Sequence, residues 1–176
     1  MILGMTTATF TLIHVLISLV GIGSGLVLMY GFFRADGLDR WTQLFLATTT
    51  LTSLTGFLFP NEHITPGIVI GILSMIMLAV AVVARYGLRL RGAWRPIYVV
   101  TAAVGLYFNV FVLVVQSFEK VPALHALAPT QKEPPFGITQ LLVLVLFVLA
   151  TIYAVKRFRP DTSAAGAEQA AQKRAA

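Results

Sequence analysis

Residues 65–118 read TPGIVIGILSMIMLAVAVVARYGLRLRGAWRPIYVVTAAVGLYFNVFVLVVQSF. Two apolar runs, 65–84 and 97–118, flank a turn carrying Arg85, Arg89, Arg91 and Arg95, with Trp94 among them. Each run is close to the roughly 20 mainly apolar residues that carry a helix through the hydrocarbon of a bilayer. The stretch therefore predicts two membrane spans joined by a basic turn. Working outward, three more apolar stretches appear, at 8–33, 41–59 and 137–155. The expected fold class is all-α: an integral-membrane bundle of five transmembrane helices spread over residues 1–159.

The chain has 176 residues, 57% apolar and 11% charged. A soluble domain carries about 25% charge, so one membrane bundle accounts for the protein and no sizeable soluble domain fits beside it. Of the thirteen Lys and Arg residues, only Lys120 and Lys132 fall in a connection that the five-span ladder places outside. The others fall at 34–40, at 85–95 and after the last span. Basic residues collect on the cytoplasmic side of membrane proteins, which orients the chain with its amino end out and its carboxyl end in. Tyr30, Trp41, Tyr86, Trp94, Tyr98 and Tyr153 map to the same basic side, forming an interfacial aromatic belt. The location expected is a cell inner membrane. The net charge of +6 flanks apolar spans, as inner-leaflet anchors do, so nucleic acid is not an expected partner. There is no cysteine, which excludes disulfides and thiolate chemistry. The first stretch has no preceding Lys or Arg and no small-residue cleavage site, so it reads as a retained span, not a cleaved signal.

The connections differ in character. In the first, Asp39 is placed to cap the second helix. In the second, Pro60 stops one helix and Thr65 with Pro66 starts the next. The longest connection, 119–136, reads EKVPALHALAPTQKEPPF. Its four prolines preclude one continuous helix, while Val121, Leu124 and Leu127 predict a short helical turn. This segment is expected to act as a lid over the outer end of the bundle. Residues 160–176, rich in Ala, Gln and Gly, read as a flexible cytoplasmic tail.

Within lipid, helices pack through small residues and interhelical hydrogen bonds. His14, Ser18, Gly21 and Gly25 share one face of the first span. Thr48, Thr52 and Thr55 form a stripe in the second, and Gly67, Gly71 and Ser74 one in the third. Gly105, Asn109, Val112, Gln116 and Glu119 form a face of the fourth. The ordinary reading of such stripes is packing, and threonine can satisfy itself on a carbonyl one turn back. His14, Asn109 and Gln116 are costlier to hold in hydrocarbon and need partners. At 1.5 Å per residue, His14 lies about 9 Å into the first span. The expected hydrogen-bond partner of a buried His14 is Asn109 or Gln116.

The sharper reading is a polar pocket in the outer half, closed by the proline-rich lid. Its expected ligand-binding residues are His14, Ser18, Thr52, Thr55, Ser74, Tyr107, Asn109, Gln116, Glu119 and His125. A quinone or other apolar ligand needs few polar anchors, and His14, Asn109, Tyr107 and Gln116 are the expected ones. His14, His63 and His125 are the candidate metal ligands, since imidazole suits zinc, copper or iron, but no HxxxH or HExxH spacing occurs. Only His14 lies well within a span, which disfavours a haem held by two histidines. No cofactor is assigned. No acid or proline lies in mid-span, which disfavours transport by a single chain. A channel or transport subunit working as an oligomer, and a metal- or haem-handling redox accessory, are the alternatives. No GxSxG turn supports a serine nucleophile, and no catalytic residue is assigned. The leading expectation is a non-enzymatic membrane protein that binds a small apolar ligand, or a partner subunit, which includes a second copy of itself. In length and span number the chain resembles the tryptophan-rich sensory proteins. Those hold many tryptophans within their spans, whereas Trp41 and Trp94 here lie at the basic interface, and no residue is carried across.

Overall fold

A computed structural model describes residues 2–60 and 65–158. Six helices follow one another: α1 Thr7–Phe33, α2 Asp39–Gly56, α3 Pro66–Val82, α4 Trp94–Lys120, α5 Pro122–Leu127 and α6 Pro134–Arg157. Apart from one isolated bridge between Ile2 and Met5, the described residues contain no β structure. Four helices are long and apolar enough to cross a membrane: α1, α3 with its extension to Gly87, α4 and α6. The fifth expected span, α2, does not reach that composition. It holds 18 residues, opens on Asp39 and Arg40, and carries six threonines.

The helix starts follow local chemistry. The Thr6 hydroxyl accepts from the Thr9 N–H at 3.2 Å and begins α1. The Thr65 hydroxyl accepts from the Ile68 N–H at 3.4 Å, and Pro66 occupies the first helical position of α3, where its missing N–H costs nothing. Asp39 is not the cap of α2. Leu38 holds that place in the left-handed region, at φ 38°, and Asp36 accepts the Leu38 N–H at 3.1 Å. Asp39 is instead the first helical residue and turns to Arg85.

After Val82 the chain widens into a π-helical turn, Val83–Gly87. The Leu88 N–H donates to Val83 O at 2.9 Å, and the Leu90 N–H to Ala84 O at 3.0 Å. Arg89 (φ 50°), Leu90 (φ 56°) and Gly92 (φ 54°) then adopt left-handed conformations. For Arg89 and Leu90 this costs about 1–2 kcal/mol each. Leu90 packs against the core, so its burial offsets part of that strain.

Helix α4 is the hub, packed against α1, α3, α5 and α6, while α2 lies against α1 and α3. The core is one-sided. Leu28, Phe32, Phe45, Leu78, Tyr98 and Leu106, with the alanines at 81, 84, 102 and 103, all belong to the half nearer the basic turn. Gly25 permits the closest approach there. A Cβ on it would lie 2.5 Å from Leu106 Cδ1 and 2.8 Å from Phe45 Cδ2. Helix α6 is peripheral: Ala154 is its one buried residue, and Leu141, Leu146 and Leu149 are 60%, 64% and 59% exposed.

Candidate functional site

The polar residues picked out in the spans divide into three groups. The first is a bridge between α1 and α2. His14 is half-buried, and its Nδ1 lies 2.8 Å from Thr55 Oγ1. The Thr55 hydroxyl lies 2.7 Å from Leu51 O and 3.1 Å from Thr52 O, the carbonyls one turn back. A threonine hydroxyl has one hydrogen. With that hydrogen directed to the backbone, Thr55 accepts from His14. In that arrangement the imidazole is the Nδ1–H tautomer and Nε2 carries a lone pair, with no partner among the described residues. The ring edge meets Phe59 at 5.3 Å, and Gly56 leaves room for it, since a Cβ there would sit 3.6 Å from His14 Cε1. The partner expected for His14 was Asn109 or Gln116. The structure gives Thr55, because α2 packs directly on this face of α1.

The second group lies deeper. Asn109 Nδ2 donates to Thr49 Oγ1 at 3.1 Å, joining α4 to α2. Gly21 of α1 makes space for this bond: a Cβ there would lie 3.2 Å from both Thr48 Oγ1 and Thr49 Oγ1 and 3.6 Å from Asn109 Nδ2. Three helices thus meet at one amide. Thr52 belongs to the same stripe and donates back to Thr48 O at 2.9 Å. Ser18 donates to Val15 O at 3.1 Å. Ser74 differs from these. It is 3% exposed, and its Oγ has no hydrogen-bond partner among the described residues. Leu78, one turn away on α3, packs on Gly105, which puts Ser74 near the level of Asn109.

The third group is not drawn into either. Gln116 is exposed, and its Nε2 donates to Glu119 Oε2 at 3.4 Å. Glu119 also pairs with Lys120 at 2.8 Å. His125 is exposed on α5. Tyr107 stacks in the seam between α4 and α6, with its ring 5.7 Å from Phe147. His63, the third candidate metal ligand, and the tail lie outside the described residues. Among the described residues no three His, Asp or Glu side chains gather as a metal-binding group.

Within the segment 119–136, the Glu133 carboxylate accepts from the Thr130 hydroxyl at 2.8 Å and from the N–H groups of Thr130 and Lys132. Slight desolvation pushes its pKa up, but these hydrogen bonds outweigh it and hold the carboxyl below the usual glutamate range.

The most tightly built polar cluster was not singled out from sequence. It lies at the basic end. Arg85, with a side chain 8% exposed, pairs with Asp39 and donates to Gly37 O at 3.2 Å. Its guanidinium lies 5.2 Å from the ring centre of Tyr98, which is fully buried. The Thr42 hydroxyl donates to Gly37 O at 3.0 Å and so accepts from Tyr98 OH at 3.2 Å. Arg95 donates to Phe158 O. The cluster ties the α1–α2 turn, the π turn, α4 and the end of α6 together. In sequence Arg85 is one of several interfacial arginines, and nothing marks it as the one turned inward. Beside it, the turn after the π helix frames an open hollow of about 500 Å3 lined by Gly87, Leu88, Arg89, Arg91 and Trp94.

No known protein family, curated protein or solved structure matches this chain.

Proposed function

We propose that the protein is a five-span inner-membrane protein that acts by binding and not by catalysis. Its amino end lies outside and its carboxyl end in the cytoplasm. Its site is the polar half of the bundle remote from the basic rim. Its ligand is small, mainly apolar, and carries one hydrogen-bond donor, such as a hydroxyl or N–H group. The observation that carries this reading is the Thr55 bond on His14 Nδ1, which holds the ring and leaves Nε2 with no partner among the described residues. An unprotonated imidazole nitrogen in an apolar setting takes a donor, and neighbouring apolar surface holds the rest of such a ligand. Ser18, Thr52, Ser74 and Asn109 supply the remaining wall in this proposal, with the segment 119–136, bearing Glu119 and His125, as its lid.

The fifth span in this proposal is α2. Its 18 residues extend about 27 Å at 1.5 Å per residue, close to the hydrocarbon thickness. Thr48, Thr52 and Thr55 turn their hydroxyls onto the backbone of the helix itself, which lowers the cost of threonine in lipid. The helix is also flanked by α1 and α3, both apolar enough to span. The orientation rests on the basic excess at the end where Arg34, Arg40, Arg85, Arg95 and Arg157 meet.

The test is native mass spectrometry and an absorption spectrum of the protein in native membrane patches. Wild type should carry a co-purifying apolar molecule that His14→Ala loses, with no change in fold. The same bound species in both proteins would refute the site. Reporter fusions that place residues 119–136 in the cytosol would refute the orientation. One observation favours a partner subunit as a second reading: α6 leaves Leu141, Leu146 and Leu149 more than half exposed, a face that a partner helix would cover. A stoichiometric second polypeptide in the same spectrum would select it.

A further inference from the structure

We propose that the hollow at the basic end is a specific site for the phosphate headgroup of an anionic phospholipid. Its walls are Gly87, Leu88, Arg89, Arg91 and Trp94, and it holds about 500 Å3. Several cations at this end are already engaged. Arg85 is paired with Asp39, Arg95 binds Phe158 O, and Arg34 and Arg157 lie against the rings of Tyr30 and Tyr153. The side chains of Arg89 and Arg91 make no hydrogen bond, ion pair or ring contact among the described residues, and Arg91 is tied only through its backbone, to Leu88 O and Trp94 N–H. No acid occurs between Glu62 and Glu119. Of the acids in the adjoining α1–α2 turn, Asp36 accepts from Leu38 N–H and Asp39 is held by Arg85. Two guanidinium groups therefore line an open hollow, and neither pairs with an acid among the described residues.

Their placement is set by the backbone. Leu90 is packed into the core and its N–H is tied to Ala84 O. The residues on either side of it, Arg89 and Arg91, are exposed. The left-handed conformations at Arg89, Leu90 and Gly92 fold the turn back so that both arginines and Trp94 line the same hollow. Residues held in such conformations cluster at ligand-binding turns. Two guanidinium forks match the oxygens of one phosphodiester.

The flanks select a lipid over a free phosphate. Leu88, Trp94, Tyr86 and Val83 are 36%, 37%, 48% and 51% exposed around or just above the hollow. They offer an apolar wall on the membrane side, where acyl chains would lie, and an indole at headgroup depth. Basic pockets between helices at the cytoplasmic face bind anionic headgroups in this way.

The test titrates the purified full-length protein with mixed micelles of phosphatidylglycerol or phosphatidylcholine. Retention is read by native mass spectrometry, and contact by quenching of tryptophan fluorescence with brominated lipid. Each arginine near an anionic headgroup contributes about a fivefold gain in affinity. Arg89→Gln and Arg91→Gln should each weaken phosphatidylglycerol binding about fivefold, and the double variant about thirtyfold. Arg40→Gln, which removes an exposed charge at the same end outside the hollow, should leave it unchanged. An equal loss in Arg40→Gln would show diffuse attraction and overturn the site. So would equal retention of the two lipids, or a double variant that binds like wild type. Saturable binding of inorganic phosphate without retention of phosphatidylglycerol would overturn the lipid assignment. All these variants lie on exposed side chains, and an unchanged melting temperature checks that each is folded.

Discussion

Removing Arg85 should cost far more than removing the aspartate it pairs with. The guanidinium is almost fully enclosed, whereas the Asp39 side chain is 83% exposed. A charge-assisted hydrogen bond such as that to Gly37 O contributes about 1.5–3 kcal/mol. A cation over a buried tyrosine ring contributes about 1–2 kcal/mol, while an ion pair with a solvated carboxylate contributes about 0–1 kcal/mol. Relief of the arginine's own desolvation offsets part of the total. Arg85→Ala should therefore destabilise by about 3 kcal/mol, through the first two interactions. Asp39→Ala should cost at most about 1 kcal/mol, because Arg85 keeps Gly37 O and Tyr98. The assay is reversible unfolding in mixed micelles of rising dodecyl sulfate fraction, followed by circular dichroism. A loss in Asp39→Ala as large as that in Arg85→Ala would refute the reasoning, because it would make the ion pair the main contributor.

Gly25→Ala should destabilise by about 1–3 kcal/mol through overpacking against Leu106 and Phe45, whereas Gly23→Ala, with open space around it, should change stability little in the same unfolding assay. Ser74→Ala should be neutral or stabilising by about 1 kcal/mol, because it deletes a buried hydroxyl that has no partner among the described residues. Asn109→Ala should cost about 0.6–2 kcal/mol by deleting the bond to Thr49, and the opposite signs can be read from one set of curves. The Glu133 carboxyl has a folded pKa below its unfolded value, so its contribution is present above the unfolded pKa and lost as pH falls through the folded one. Hydrogen exchange at Thr130 and Lys132 should therefore rise below about pH 4, and Glu133→Gln should abolish that pH dependence.

The long apolar runs gave the helices within a few residues, because hydrocarbon length and apolar content are local properties. The short helix from Pro122 was visible in the spacing of Val121, Leu124 and Leu127. The Thr65–Pro66 start was visible too, because its chemistry lies within four residues. Pairings across the fold were not legible. Asp39 reads as a cap until the left-handed Leu38 takes that place and Arg85, 46 residues away, claims the carboxylate. Gln116 continues the stripe of Gly105 and Asn109 on paper, yet the stripe runs past the end of the packed core. Gly105 is buried, Asn109 half-buried and Gln116 exposed. The stripe in α1 was legible as a packing face, but which neighbour would meet His14 depended on helix order, which periodicity does not encode.

The one-sided core has a mechanical consequence. A bundle whose main buried cluster and guanidinium contacts lie at one end, with only separate aromatic pairs such as Phe10–Phe59 and Phe118–Phe136 at the other, should be stiffer at the first end than at the second. When the surrounding bilayer thins or thickens, helices tilt to match it. Tilt should then be absorbed more at the His14 end than at the Arg85 end. Membrane thickness then becomes a control on how far that loose mouth opens.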